Sequence, residues 1–143
     1  MLHLLVRDIM QHKIVTVSAG DRLSTVEDIM TLGGVRHMPV VRGGELVGVV
    51  SQRDLLRASL SNLSAEYGLD HRRAFLHGVE IASVMSSPPI TIGPDCEIRE
   101  AARTLAERKI GCLPVIEPAS RLVGLVTETD LLRHFAELEP GGG

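Results

Sequence analysis

The chain contains the stretch LVGVVSQRDLLR at residues 46–57 and a near copy, LVGLVTETDLLR, at residues 122–133. Three further segments recur in the same order at a constant shift of 75 positions, so the shift of 76 at the quoted stretch indicates one inserted residue before it. The pairs are 6–10 with 81–85, 15–17 with 90–92, and 35–41 with 110–116. A long unit present only twice predicts two like halves packed about a pseudo-twofold axis, not a solenoid.

Each repeat has the pattern of a strand, a helix, two strands and a second helix. The β-branched run at 15–17 predicts the first strand, and Asp21 is expected to cap the helix that follows it. Gly33-Gly34 predicts the end of that helix, and the glycines at 43 and 44 predict a hairpin between two apolar runs. The predicted fold class is therefore α/β (α+β) with two β-α-β-β-α repeats. The predicted segments are repeat one at 4–63, a linker at 64–78, repeat two at 79–136 and a disordered tail at 137–143.

Composition and charge disfavour nucleic-acid and membrane roles. The formal net charge is −3, and the only aromatic residues are Tyr67, Phe75 and Phe135. Nucleic-acid binders usually need a basic face and often aromatic platforms for bases. No apolar run approaches the roughly 20 residues that cross a bilayer. Residues 1–6 lack the features of a secretory signal, so we expect a cytoplasmic location.

The sequence contains no recognisable metal or catalytic pattern. Cys96 and Cys112 form no C-x-x-C, and the histidines have no H-x-x-x-H spacing, so neither a disulfide framework nor a metal site is predicted. Cys112 lies in an apolar run and is expected in the core. The motifs G-x-S-x-G, the P-loop and H-E-x-x-H are absent. We therefore expect that the chain is not an enzyme.

The pattern G-h-h-[ST]-x-x-D occurs at 48–54 and at 124–130, in each case at a strand-to-helix junction. A hydroxyl residue followed three positions later by an acid is close to a capping box, which stabilises a helix start without any ligand. A helix start also offers N–H groups to phosphate oxygens, and a carboxylate can accept hydrogen bonds from a ribose diol. The glycine is expected to let another molecule approach the strand end. The pattern thus predicts a nucleoside-phosphate site, which is compatible with capping.

The duplicated segments resemble the CBS domain family (cystathionine β-synthase type). The resemblance rests on h-x-x-[VI]-M, the [VI]-T-[VI] strand, RHMPV or CLPV, and LVG-h-V-[ST]-x-x-DLL, and it covers residues 4–136. The layout is similar to small stand-alone bacterial CBS-pair proteins. The resemblance implies two clefts between the repeats that bind AMP, ADP or ATP, and in some members S-adenosylmethionine or a dinucleotide such as NAD(H). It also implies a homodimer and a protein that requires no cofactor. It leaves open whether Mg²⁺ accompanies ATP.

The resemblance implies a role for individual residues of this chain. It assigns the ribose hydroxyls to Asp54 and Asp130, the ribose or α-phosphate to Ser51 and Thr127, the adenine slot to Thr16 and Thr91, and backbone groups with an apolar wall to Met38 and Leu113. Basic phosphate contacts correspond to Arg36 and His37 in repeat one, where repeat two has Gly111 and Cys112.

This difference between the repeats predicts two unequal clefts. In the family a cleft tends to combine the aspartate of one repeat with strand residues of the other. The cleft of Asp130 is therefore expected to face Arg36 and His37 and to prefer charged nucleotides. The cleft of Asp54, with Arg53 as its cation, is expected to be weaker, empty or suited to a less charged adenosine. An exposed strand edge is the alternative explanation for Arg36 and His37.

The predicted function is a regulatory, energy-sensing module. It binds an adenine nucleotide between its repeats and signals by conformational change to an effector protein in trans. The alternative is a CBS-pair interaction or dimerisation module that binds no ligand. A nucleic-acid role is disfavoured by the acidic balance of the chain.

Overall fold

The computed structural model describes residues 4–61 and 69–138, and side chains within 4–60 and 73–138. It divides into two compact units. The first-repeat unit is Val15–Pro89, and the second-repeat unit combines Met1–Ile14 with Ile90–Gly143. The elements in chain order are α1 (Val6–Ile9), β1 (Val17–Ser18), α2 (Leu23–Gly33), β2 (His37–Arg42), β3 (Glu45–Ser51), α3 (Gln52–Ser61), α4 (Leu69–Gly78), α5 (Ile98–Arg108), β4 (Cys112–Glu117), β5 (Arg121–Thr127) and α6 (Glu128–Ala136).

The first-repeat unit has a three-stranded sheet in the order β1-β2-β3. Strand β1 runs parallel to β2, and β2 is antiparallel to β3. The β2–β3 turn contains Gly43 and Gly44 with φ of 58° and 82°, a conformation that glycine adopts without a steric penalty. The predicted hairpin is therefore confirmed. The apolar faces of this sheet and of α2 form one buried core that includes Leu23, Met38 and Val50.

The second-repeat unit repeats the hairpin with a shorter sheet. Strands β4 and β5 are antiparallel, and a single parallel bridge from Ile92 to Val115 replaces the pairing that β1 makes in the first-repeat unit. The inserted residue lies in the β4–β5 loop, where Ala119 and Ser120 have φ of 70° and 58°. Cys112 is buried, as predicted. The α+β class with two repeats is thus confirmed.

Each unit incorporates the segment that precedes the other repeat in the sequence. Ile81 is fully buried in the first-repeat core, and its N–H donates to the carbonyl of Asp21 at 2.8 Å. Val6 is likewise buried in the second-repeat core, where its N–H donates to the carbonyl of Cys96 at 2.8 Å. The packing units are therefore not the contiguous repeats of the sequence.

The predicted helix cap at Asp21 is wrong. Helix α2 begins at Leu23 after Arg22, which makes no side-chain cap. The carboxylate of Asp21 accepts the Ser18 N–H at 2.8 Å, so it closes the turn between β1 and α2. The predicted strand at 15–17 is displaced to Val17–Ser18. The predicted end of α2 is confirmed by Gly34, which has φ of 64°.

Part of the predicted linker is helical. Residues 69–78 form α4, and Leu76 of this helix is buried in the first-repeat core. Residues 64–68 of the predicted linker, and 139–143 of the predicted tail, lie outside the described residues. Among the helices that the structure describes, none combines the length and the apolar character that a bilayer crossing requires.

Candidate functional site at the starts of α3 and α6

Ser51 and Asp54 form a reciprocal cap at the start of α3. The Ser51 N–H and the Ser51 hydroxyl donate to Asp54 Oδ2 at 2.8 and 2.9 Å, and the Asp54 N–H donates to Ser51 Oγ at 3.1 Å. Both side chains are half-buried. No other group in the described ranges donates to this carboxylate, so its Oδ1 keeps its acceptor capacity.

Thr127 and Asp130 form the same cap at the start of α6. The Thr127 N–H and hydroxyl donate to Asp130 Oδ2 at 2.8 and 2.9 Å, and the Asp130 N–H donates to Thr127 Oγ1 at 3.2 Å. Both residues are buried, each with 8% exposure. The capping interpretation of the motif is therefore confirmed at both helices, with nearly identical geometry.

The cap limits what the two hydroxyl groups offer a ligand. A hydroxyl has one hydrogen, and in Ser51 and in Thr127 it is donated to the aspartate three residues later. Phosphate oxygens are acceptors, so a phosphate contact would require that this hydrogen bond break. The remaining lone pair of each hydroxyl can accept a hydrogen bond from ribose. The ribose role predicted for these hydroxyls fits this geometry better than the α-phosphate role.

One backbone N–H at each helix start has no acceptor in the part of the chain that the structure describes. The first N–H of each helix, in Gln52 and in Glu128, donates to the carbonyls of residues 36 and 111 at 2.8 and 3.0 Å. The third donates to the capping hydroxyl. The second N–H, in Arg53 and in Thr129, has no acceptor within the described residues. Each helix start therefore combines a carboxylate with one open N–H and the positive end of the helix dipole.

The sequence predicted that the motif glycines give a ligand access to the strand ends, but in the structure they do not. A Cβ at Gly48 would lie 2.6 Å from Met85 Sδ and 2.8 Å from the carbonyl oxygen of Ser86. A Cβ at Gly124 would meet the side chain of Met10 and lie 3.2 Å from the carbonyl oxygen of Gln11. The protein's own segments cover both glycines, because antiparallel backbone bridges hold those segments against β3 and β5. This prediction was wrong.

Gln11 distinguishes the two sites. Its side-chain nitrogen donates to both carboxylate oxygens of Asp130, at 3.2 and 3.1 Å. The corresponding position beside Asp54 is Ser86, whose backbone bridge to Val49 repeats the bridge of Gln11 to Leu125. The shift of 75 positions pairs residue 11 with residue 86, so the repeat alignment contains this difference, although residue 11 lies just outside the recurring segment 6–10.

The other predicted site residues differ in accessibility. Met38 and Leu113 are fully buried in the two cores, so their side chains are not available as a ligand wall, and a role for their backbone groups stays a prediction. The basic side chains of Arg36 and Arg53 are exposed, with His37 half-buried in β2. The last two predicted residues, Thr16 and Thr91, are exposed and half-buried, respectively.

Arg36 and His37 belong to the first-repeat unit and Asp130 to the second-repeat unit, so their joint contact with one ligand stays a prediction. Among the described residues no group of three or more His, Cys, Asp or Glu side chains is arranged to hold a metal ion.

The family model for the CBS domain matches residues 6–61 and again residues 81–137. The chain belongs to the CBS domain family. Both matches end within or just after the helices that Asp54 and Asp130 cap, so each matched domain contains one of the two carboxylate sites.

Known proteins resemble this chain over nearly its whole length. A CBS domain-containing protein of Dictyostelium discoideum is 30% identical, and the match covers 97% of each chain. The CBS domain pair of protein MJ0100, solved in complex with 5′-methylthioadenosine and S-adenosyl-L-methionine, is 25% identical with a TM-score of 0.78, covering 92% of this chain and 99% of that one. CBSX2 in complex with AMP shares the fold, with a TM-score of 0.76 at 24% identity over 93% and 96% of the two chains.

Several relatives are longer proteins. The match spans 46% of an uncharacterized Methanocaldococcus jannaschii protein at 27% identity, and 21% of an inosine-5′-monophosphate dehydrogenase from Korarchaeum cryptofilum at 31% identity. In those proteins the matched region is one part of a larger chain.

Proposed function

We propose that this CBS pair is a regulatory module that binds an adenosine-containing compound at the capped starts of α3 and α6. The observation that carries the proposal is that two groups without a hydrogen-bonding partner among the described residues lie at the start of α3. They are Oδ1 of Asp54, an acceptor, and the backbone N–H of Arg53, a donor. A ribose diol donates to a carboxylate, and a phosphate or carboxylate group accepts from a helix N–H. One helix start therefore offers complementary groups to both ends of a nucleotide's sugar-phosphate.

Related CBS pairs support the choice of an adenosyl ligand. The pair of MJ0100 was solved with two adenosyl compounds, neither of which contains a phosphate, and CBSX2 was solved with AMP. We propose the adenine nucleotides AMP, ADP and ATP as the ligands of this chain, with S-adenosylmethionine and NAD(H) as the other members of the panel to test. Whether Mg²⁺ enters with ATP is part of the same test.

The output that we propose is regulatory and not catalytic. The described site contains one carboxylate, one hydroxyl and one N–H at each helix start, and the hydroxyl is already engaged in capping. This set is suited to holding a ligand, because in each cap the hydroxyl hydrogen is donated to the carboxylate and both groups stabilise the helix start. Binding shifts the protein toward the conformation that binds the ligand more tightly, and an effector protein in trans responds to that shift. A cytoplasmic location, where adenine nucleotides are abundant, belongs to this proposal.

Exposed apolar side chains support a homodimer as part of the proposal. Leu56 and Leu60 on α3 are each 57% exposed, and Leu132 and Phe135 on α6 are 67% and 74% exposed. Large apolar residues at such exposure cost free energy in water, and burial against a second copy removes that cost. These exposed side chains also favour the second candidate function, a dimerisation or interaction module whose helix starts bind no ligand.

Calorimetric titration with AMP, ATP, NADH and S-adenosylmethionine tests the proposal. We expect saturable binding of at least one compound, weakened about tenfold to a hundredfold in Asp54→Ala, because a hydrogen bond to a charged group contributes ~1.5–3 kcal/mol. Asp21→Ala is the matched control. Asp21 belongs to the same unit as Asp54, and each of the two carboxylates accepts the backbone N–H of the residue three positions earlier at 2.8 Å. Equal losses of affinity in both variants would show that destabilisation, and not a lost ligand contact, explains the effect.

If no compound produces heat and none raises the melting temperature, the interaction module is the better account. A ligand at a hundredfold excess over its Kd stabilises the folded state by ~2.7 kcal/mol, so binding without a thermal shift is not expected.

A further inference from the structure

The carboxylates of Asp54 and Asp130 differ in one hydrogen-bonding partner. Their caps agree to within 0.1 Å in every donor-acceptor distance. The backbone bridges beside them also agree, at 3.1 and 2.8 Å in both units. The bridging residue itself differs: it is Gln11 in the unit of Asp130 and Ser86 in the unit of Asp54.

The Gln11 amide occupies the acceptor positions that a ribose would use. An ionised carboxylate only accepts hydrogen bonds, so the amide group facing it must present its nitrogen. That nitrogen is shared between Oδ1 and Oδ2 of Asp130 at 3.2 and 3.1 Å. A vicinal diol that binds the same carboxylate presents two O–H donors to the same two oxygens. The amide and the ribose therefore compete for one acceptor surface.

We propose that Gln11 is an internal competitor that weakens adenosyl binding at Asp130 and leaves Asp54 as the tighter site. This inference rests on the proposed function. Gln11 as a residue is exposed, so the side chain can rotate into solvent without opening the core. A ligand at Asp130 must displace it, whereas Oδ1 of Asp54 accepts no hydrogen bond within the described residues. The order of the two sites is then the reverse of the order expected from Arg36 and His37.

Exchange of the two residues tests the proposal. In Asp54→Ala, where only Asp130 remains, we expect weak or undetectable AMP binding by calorimetry. Adding Gln11→Ser, which copies the residue found in the other unit, should tighten AMP binding at least about tenfold, the lower end expected for a hydrogen bond to a charged group. In the reciprocal background, Asp130→Ala, the change Ser86→Gln should weaken AMP binding by a similar factor.

Each result supports or overturns the inference. Tighter binding with Gln11→Ser and weaker binding with Ser86→Gln, at unchanged melting temperature, support it. An AMP affinity that stays within twofold in both exchanges overturns the inference while leaving the proposed function intact, because AMP still binds. Absence of binding of AMP, ATP, NADH and S-adenosylmethionine to the wild-type chain and to every variant overturns both. A thermal melt of each variant establishes that it is folded, and S-adenosylmethionine as a second probe extends the test to a ligand without phosphate.

Discussion

Replacing Gly48 by alanine tests how each unit holds the segment that precedes the other repeat. The new methyl group would lie 2.6 Å from Met85 Sδ and 2.8 Å from the carbonyl oxygen of Ser86. The methionine side chain can rotate away, but the Ser86 carbonyl is backbone and accepts the Val49 N–H at 3.1 Å. The methyl group therefore forces the segment away from β3 and weakens the bridge between them.

The expected cost of Gly48→Ala is ~1–3 kcal/mol, typical of overpacking at a rigid neighbour. Gly20→Ala is the matched control in the same unit, because a Cβ there meets nothing within 4 Å and the residue has no positive φ. That control should gain ~0.4–1 kcal/mol through the unfolded state. Gly124→Ala should lie between them, since its nearest backbone atom, the Gln11 carbonyl oxygen, is 3.2 Å away.

Urea denaturation measures all three variants. For an m-value of ~1–3 kcal/mol/M, a loss of ~2 kcal/mol lowers the midpoint by about 1 M. Equal midpoints for Gly48→Ala and Gly20→Ala would refute the reasoning. A Gly48→Ala variant of wild-type stability that lost AMP affinity would instead restore the interpretation that this glycine admits the ligand.

Three further predictions concern the helix ends, the basic strand and the dimer. Lys109 ends α5 at φ of 55°, so Lys109→Gly should raise the free energy of unfolding by ~1 kcal/mol in urea denaturation. Gly34→Ala, at the equivalent end of α2, should lower the free energy of unfolding. No change in either variant would contradict this prediction. In the Asp54→Ala, Gln11→Ser variant, where Asp130 is the remaining site, Arg36→Ala should weaken ATP binding about tenfold more than adenosine binding by calorimetry. Arg42→Ala, at the end of β2, should leave both affinities unchanged, and equal effects of the two variants would remove Arg36 from the site. Phe135→Glu should halve the mass measured by light scattering if α6 forms the dimer interface, and an unchanged dimer mass excludes that surface.

The features that were predicted correctly depend on local chemistry. The hairpin with Gly43 and Gly44 and the α2 end at Gly34 follow from backbone conformations that glycine adopts readily. The caps at Asp54 and Asp130 follow from a hydroxyl and an acid three residues apart. Because these signals involve neighbours in the sequence, and because they occur twice, the sequence was sufficient to identify both helix starts.

The features that were missed depend on contacts between distant residues. Nothing near Gln11 in the sequence indicates that its amide reaches a carboxylate 119 positions away. The same holds for Gly48, whose neighbours Met85 and Ser86 belong to the segment before the second repeat. The prediction for Asp21 failed for a different reason: a turn competes with a helix cap for the same carboxylate, and here the Ser18 N–H donates to it at 2.8 Å.

The most direct test of the central claim is a two-dimensional ¹⁵N–¹H spectrum of the chain recorded during titration with AMP. The account predicts that the amide of Arg53, which has no acceptor among the described residues, shifts most, together with Ser51 and Asp54 in the same cap. The amides of Gly43 and Gly44 at the far end of the β2–β3 hairpin should stay in place. Saturation of the protein by AMP with no shift at Arg53, or with shifts confined to the hairpin loop, would contradict the assignment of the ligand to the start of α3.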